Sequence, residues 1–273
     1  MVIGSSNADI TAVISCFNYG EFVIEAVRSL TAQEGGPPHQ VIVVDDGSTD
    51  PATQRCLDEL GDEAHVIRQA NQGASSARNT GLRRVITPYA IVLDADDRLV
   101  PDALWVLRAA LEANPRIGYA YGYMRFFGTR SGVMKMPAFD PWSLMFRHIV
   151  GPTALMRTDM VRATRGYDVN FPHYEDWEIW VHALRLGWHG LCVERTVLEQ
   201  RKHGVSKMDA DRANYRRYFR LMRQKHAELY DDLGRISRLS GLGLGERLLY
   251  RYVWAVRPWP ASFEQALYSF LWR

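Results

Sequence analysis

Three cysteines in 273 residues (Cys16, Cys56 and Cys192) are too few, and too widely spaced, for a disulfide scaffold or a cysteine-ligated metal centre. The expectation is free thiols in a reducing compartment. No stretch approaches the ~20 consecutive apolar residues of a membrane-spanning helix. No basic segment followed by an apolar core opens the chain as a secretory signal would. These absences place the protein in the cytoplasm, or on the inner face of the plasma membrane as a peripheral protein. Internal repeats and low-complexity tracts are missing too, which argues against solenoids and disordered linkers. An excess of one charge is also lacking, since 33 Lys and Arg face 31 Asp and Glu. That balance excludes a nucleic-acid-binding body.

The balance hides an asymmetry. Residues 201–273 carry 15 Lys and Arg against 7 Asp and Glu, and residues 1–200 carry 18 against 24. Basic character is therefore confined to the C-terminal quarter. With 47% hydrophobic and 23% charged residues, the rest reads as an ordinary globular domain.

Short apolar runs alternate with helical patterns through the first half, as in an α/β sheet with crossover helices. Strands are predicted at Thr11–Ser15, Gln40–Val44, His65–Arg68, Tyr89–Leu93 and Ile117–Phe126. Between them, Val23, Val27 and Leu30 share one helix face. Cys56, Leu57 and Leu60 share another, behind an Asp50-Pro51 cap. Ala77, Leu82 and Val85 mark a third helix and Leu104, Leu107 and Leu111 a fourth. Residues 128–155, rich in Gly, Pro, Met and Trp, read as irregular segments covering a site. Helices return at Thr158–Thr164 and Asp176–Leu186, and a strand at Leu191–Val197. Residues 209–232 read as one long basic helix, and the last thirty residues as amphipathic helices split at Pro258-Trp259-Pro260.

Acidic side chains gather at strand ends, where open α/β sheets bind ligands. Asp45-Asp46-Gly47-Ser48 follows the second strand, although Asp-Gly after a strand also makes a simple turn. Asp94-Ala95-Asp96-Asp97 follows the fourth. Three carboxylates in four residues repel one another unless a cation or solvent intervenes, and all-oxygen ligands suit Mg²⁺ or Mn²⁺ beside a diphosphate. Asn71 to Gly81 joins small residues to Arg78 and Asn79, in a loop that allows close approach to a phosphate or ribose. Tyr174-Glu175-Asp176-Trp177 opens a helix, where Asp176 is either an N-terminal cap or a general base. Tyr174 and Trp177 are aromatics for a sugar face or for the core. His203 sits in the basic segment Gln200-Arg201-Lys202-His203.

In this order, Thr11 to Tyr19, Asp45 to Asp50, Asn71 to Gly81, Leu93 to Asp97, Glu175-Asp176-Trp177 and His203-Gly204-Val205-Ser206 resemble the inverting family-two glycosyltransferases with the GT-A fold. The resemblance covers residues 10 to about 208. It implies a Rossmann-like, mostly parallel central sheet flanked by helices, with a C-terminal helical extension. Residues 1–208 would form the catalytic domain, with 10–126 binding the nucleotide-sugar and 127–208 the acceptor. Residues 209–273 would be the basic extension.

The resemblance also implies roles. Ser15 and Phe17 would line the nucleobase pocket, and Asp46 would accept from the base imide. Arg78 and Asn79 would lie near the nucleotide, and Asp94 would approach the ribose or metal. Asp96 would hold a Mg²⁺ or Mn²⁺ ion, with His203 a further metal or phosphate contact. Asp176 would be the catalytic base. Gly151, Glu175 and Trp177 would border the sugar or acceptor pocket. The implied partners are a nucleotide-sugar donor (UDP- or dTDP-linked favoured, GDP-linked as alternative) and a glycan or lipid-linked acceptor in surface polysaccharide assembly. Competing readings are a sugar nucleotidyltransferase, or a non-catalytic carbohydrate-binding scaffold of the same fold. Arg247, Arg251 and Arg257, interleaved with apolar residues, suit an anionic membrane surface, self-association or packing against the catalytic domain.

Overall fold

Seven residues, Ile10–Cys16, form β1, whose apolar side chains leave almost nothing exposed. A strand buried on both faces needs partners on both edges, and β1 has them. It pairs in parallel with β2 (His39–Asp45) on one side and with β4 (Tyr89–Asp94) on the other. β3 (His65–Arg68) pairs in parallel with β2. The computed structural model describes residues 8–171, 173–203, 215–253, 255 and 263.

The crossover helices are α1 (Gly20–Thr31), α2 (Pro51–Glu59) and α3 (Ala74–Leu82). Helix α2 starts as the sequence dictates: Asp50 caps the backbone N–H groups of Ala52 and Thr53, and Pro51 occupies the first turn. Helix α3 packs so closely on β1 that a Cβ on Gly81 would meet Val13 Cγ1 at 2.3 Å. Only glycine fits that approach.

Beyond α4 (Ala103–Ala113) come β6 (Ile117–Gly128), β7 (Gly132–Met134), α5 (Pro141–Phe146), β8 (Leu155–Arg157), α6 (Thr158–Thr164), α7 (Glu175–Arg185) and β9 (His189–Lys202). The two-residue strand β5 (Arg98–Leu99) precedes α4. Among the described residues the sheet has nine strands, in the order β3-β2-β1-β4-β8-β6-β9-β5, with β7 paired to β6. Strands β8, β5 and β7 run against their neighbours and the other pairs are parallel. This is the mixed, mostly parallel α/β sheet flanked by helices that the sequence implies.

Three segments depart from expectation. Residues 128–155 hold β7 and α5, the latter capped by Asp140 Oδ1 on Ser143 N at 2.9 Å, so this stretch is partly regular. The strand predicted at 191–197 runs from His189 to Lys202, because β6 offers it a long parallel edge. Within the long basic helix, the described part breaks at His226, giving α8 (Tyr215–Lys225) and α9 (Ala227–Asp231). α10 (Leu233–Leu239) and α11 (Leu244–Tyr252) follow. The expected break at Pro258-Trp259-Pro260 lies outside the described residues.

These C-terminal helices share the main hydrophobic core through Tyr215, Phe219, Met222, Leu229 and Ile236. Their polar groups tie them to α5 and its flank: Tyr215 Oη donates to Phe146 O, Tyr230 Oη to Met145 O and Trp142 Nε1 to Arg247 O. Packing on the body therefore accounts for most of the apolar residues of α8 to α10, whereas in α11, next to Arg247 and Arg251, Tyr250 is buried and Leu244, Leu248 and Tyr252 are exposed. The three cysteines are unpaired. Among the described residues no helix is long and apolar enough to cross a membrane.

Candidate active site

From β1 the chain steps outward to β2 and β3, then returns past β1 to lay down β4. The reversal opens a crevice beyond the carboxyl ends of β1 and β4, the general ligand position in open α/β sheets. Register aligns the ends: Ser15 lies opposite Asp94, and Cys16 opposite Asp45. Phe17, the next residue but one after Ser15, leaves its ring 40% exposed at this mouth.

Arg78 is the hub. It reaches from α3 with Nη2 at 2.7 Å from Asp94 Oδ1 and Nη1 at 3.0 Å from Glu175 Oε1, and its guanidinium lies 5.2 Å from the centre of the Tyr167 ring. Burial works against its charge, but Asp94, Tyr167 and Glu175 outweigh that, so its pKa stands above the ordinary arginine value. Breaking one arm of a buried pair of this kind costs about 3–5 kcal/mol. The fork thus locks the end of β4 to the start of α7, with Arg78 and Glu175 97 residues apart in sequence.

The acidic loop after β4 is closed by the end of β9. His203 Nε2 lies 2.9 Å from Asp96 Oδ2. Arg201 donates its backbone N–H to Asp97 Oδ1 and its Nε to Asp96 O, while its Nη2 pairs with Glu25 at 2.6 Å. Phe22 and Phe127 each lie 4.4 Å from the Arg201 guanidinium. Burial, followed by the neighbouring Asp94, pushes the Asp96 carboxyl above its usual range, with His203 pulling the other way. Asp97 is pushed up further, by burial and then by Asp94 and Asp96. The same acids, after burial, raise the Tyr19 hydroxyl to about 12. Asp97, 2% exposed, serves the loop itself by fixing Arg201.

At the start of α7, Tyr174 adopts a left-handed backbone with φ 60°. A bulky residue there is strained by roughly 1–2 kcal/mol. Glu175 and Asp176 follow. Asp176 Oδ1 accepts from Trp177 N at 2.9 Å, and its Oδ2 lies 3.7 Å from His148 Nε2.

Other expected site residues are engaged elsewhere. Asp46 accepts from Gln69 Nε2, Gln72 N and Gly73 N at 2.7–2.9 Å, so both its oxygens order the loop that enters α3. Asn79 clamps the backbone of Tyr167, donating to its carbonyl and accepting from its N–H, and faces that turn. Trp177 is 1% exposed, donates to Leu144 O and stacks on Tyr215 and Phe219. It has no free face for a sugar, because the C-terminal helices cover it. Gly151 is buried against Met124, whose Sδ would meet a Cβ at 3.2 Å.

The Asn79 clamp requires glycine at 166, where φ is +81° and a Cβ would lie 2.2 Å from Asn79 Oδ1. Gly166→Ala is expected to cost about 2 kcal/mol and to lower Tm by roughly 5 °C. An unchanged melting curve would remove the clamp from the account.

Arg201, Tyr19, Glu25 and His148 escaped the sequence reading. Arg201 lies among the last paired residues of β9 and His203 just beyond its end, but with 200–203 taken as a loop that extension carried no signal. His148 fell in a stretch without periodicity.

Among the described residues no group of three or more His, Cys, Asp or Glu forms a complete metal cage. Asp96 and His203 nonetheless fit a hard dication sharing a diphosphate. The carboxylate and the imidazole meet each other at 2.9 Å, the carboxylate is also crowded by Asp94, and such ions take their remaining oxygens from phosphate and water.

Comparison with known proteins agrees with this architecture. The model of glycosyl transferase family 2 matches residues 11–167. A poly-beta-1,6-N-acetyl-D-glucosamine synthase of Staphylococcus epidermidis is 26% identical over 138 residues, 50% of this chain and 33% of that protein. The succinoglycan biosynthesis protein ExoO of Rhizobium meliloti is 35% identical over 98 residues, covering 35% of this chain and 28% of its own. The chain thus spans about a third of the length of these relatives. Among solved structures, S. aureus TarS 1–349 in complex with UDP-GlcNAc aligns with a TM-score of 0.66 at 16% identity, over 96% of this chain and 73% of that one. The mannosyltransferase PcManGT of Pyrobaculum calidifontis, in complex with GDP-Man and Mn²⁺, aligns with a TM-score of 0.62 at 17% identity, over 98% and 81%.

Proposed function

The chain belongs to glycosyl transferase family 2, and we propose that it moves a sugar from a nucleotide-diphosphate sugar to an acceptor hydroxyl by a single displacement that inverts the anomeric carbon. One observation carries this reading: the buried Arg78 fork ties Asp94, at the crevice mouth, to Glu175, the neighbour of Asp176. Donor-side and acceptor-side acids are thereby held in one rigid frame.

A sugar hydroxyl is a poor nucleophile and needs a base aligned with the anomeric carbon. Asp176 suits that task. It stands in the first turn of α7, and Oδ1 is fixed by its own helix, leaving Oδ2 for the proton. Ser15, Phe17 and Asp94 border the nucleotide side, with the exposed Phe17 ring as a surface for a base. Asp46 and Asn79 act behind them, by ordering loop 69–73 and the turn at 166–167.

Asp96 and His203 would hold Mg²⁺ or Mn²⁺, and Arg201 keeps their loop in place. A dication there would offset the charge that develops on the departing diphosphate. Neighbours solved with UDP-GlcNAc, or with GDP-Man and Mn²⁺, support a nucleotide-sugar donor and a metal requirement. The polysaccharide-making relatives support a glycan acceptor in surface polysaccharide assembly.

A thermal-shift screen of nucleoside diphosphates and nucleotide-sugars, with and without Mn²⁺, tests the reading. At a hundredfold excess over Kd, binding adds about 2.7 kcal/mol, which raises Tm by several degrees. The expected result is a rise for one nucleobase, dependent on metal. A flat response to every nucleotide under both conditions would sink the proposal.

A further inference from the structure

His148 lies two residues beyond α5, outside every motif discussed so far. Its ring stacks on the buried Trp177 indole with centroids 6.5 Å apart and planes 20° apart. Its Nε2 is buried, has no hydrogen-bond partner, and sits 3.7 Å from Asp176 Oδ2. That oxygen is the one the helix leaves free, because Oδ1 is held by Trp177 N. A ring present only to fill space beside Trp177 has no need of a nitrogen. Nitrogen buried without a partner is unfavourable unless a group arrives to use it.

We infer that His148 acts through Asp176, its Nε2 facing Oδ2 and receiving the proton that Asp176 removes. The inference rests on the reading of Asp176 as the base. In the step, the acceptor O–H bond breaks and its electron pair forms the new bond to the anomeric carbon. The electrons of the old C–O bond leave with the diphosphate. The proton passes to Asp176 Oδ2 and then to the lone pair on His148 Nε2, in the tautomer that carries hydrogen on Nδ1. A separation of 3.7 Å closes to hydrogen-bond length with a small side-chain movement, as catalytic contacts do when substrate is bound. Indole stacking fixes the ring plane, so the movement is confined to that plane. Among the described residues the ionisable group set against His148 is Asp176 on α7, and Arg147 precedes it in the chain.

The test compares His148→Gln and His148→Phe with wild type and with Asp176→Asn in the full chain. UDP and GDP affinity are measured by calorimetry with Mn²⁺, and turnover as a function of pH with the donor that the thermal screen identifies. Phe keeps the stacking and removes the nitrogen, so a fold defect common to Gln and Phe is distinguishable by its lowered Tm. The expected result is unchanged nucleotide affinity and a kcat lower on the order of 10- to 100-fold in both variants. The acid limb of the kcat profile also moves in both variants, which a merely structural role for the ring would leave in place. Wild-type kcat and an unmoved acid limb in His148→Phe, with Asp176→Asn inactive, would overturn the role of His148 alone. Activity surviving in Asp176→Asn would overturn the base assignment and this inference together.

Discussion

Asp176→Asn is expected to lower sugar transfer by roughly 10²–10⁴-fold while nucleotide-diphosphate affinity stays within about twofold of wild type. The substitution is nearly isosteric and keeps an oxygen to accept from Trp177 N, so the first turn of α7 survives. What is lost is the negative charge and the capacity to take a proton at Oδ2. The side chain stands one residue beyond Glu175, which holds Arg78, and contributes nothing to the contacts among Arg78, Asp94 and Glu175. Turnover followed by nucleoside diphosphate release, paired with calorimetric donor binding, separates chemistry from binding. Near-wild-type turnover would exclude Asp176 from the reaction.

Asp96→Ala is expected to weaken metal-dependent donor binding by roughly 100-fold or more, since His203 would be left as the lone protein ligand beside phosphate oxygens. The metal-free protein should behave differently. Burial and the charge of Asp94 hold the Asp96 carboxyl above its ordinary range, so ionising it disfavours the folded state at neutral pH. Without metal the alanine variant should therefore melt no lower than wild type, yet lose the rise in Tm that Mn²⁺ with nucleotide produces. Titration by calorimetry with and without Mn²⁺, beside matched melting curves, checks both halves. Equal nucleotide affinity in the variant and wild type would remove Asp96 from the metal site.

These two expectations differ in how visible their grounds are in sequence. The acids at 94–97 stand out because three carboxylates in four residues after an apolar strand violate ordinary surface patterning. The strand itself is legible because both its faces are apolar. Asp176 stands out only beside Glu175 at a helix start, where a plain cap explains it equally well. Arg78 announces a polar contact, but nothing in the chain before or after it says that the contact is Glu175. Trp177 is ambiguous in sequence because an indole suits a sugar face and a core alike. Burial by α8 decides for the core.

The regions missed share a physical cause. β5 and β8, with two and three residues, have too little length to show periodicity. They are strands because β9, β4 and β6 offer them unpaired edges. The breadth of β9 arises in the same way from its partner β6. Residues 128–155 lack a repeating pattern because α5 is buried on every side, between α7 and the C-terminal helices, so no polar face marks it.

Local chemistry along the chain determines the parallel strands, the crossover helices, the Asp50-Pro51 cap and the acidic strand ends, because each depends on neighbours a few residues away. Tertiary structure alone decides that Asp94 and Glu175 share one guanidinium, that Asp46 and Asn79 brace loops, and that Arg201 and His203 close over the acids. It also brings His148 to the free oxygen of Asp176. Those pairings are set by sheet order and packing between residues tens of positions apart, where sequence spacing carries no information about distance.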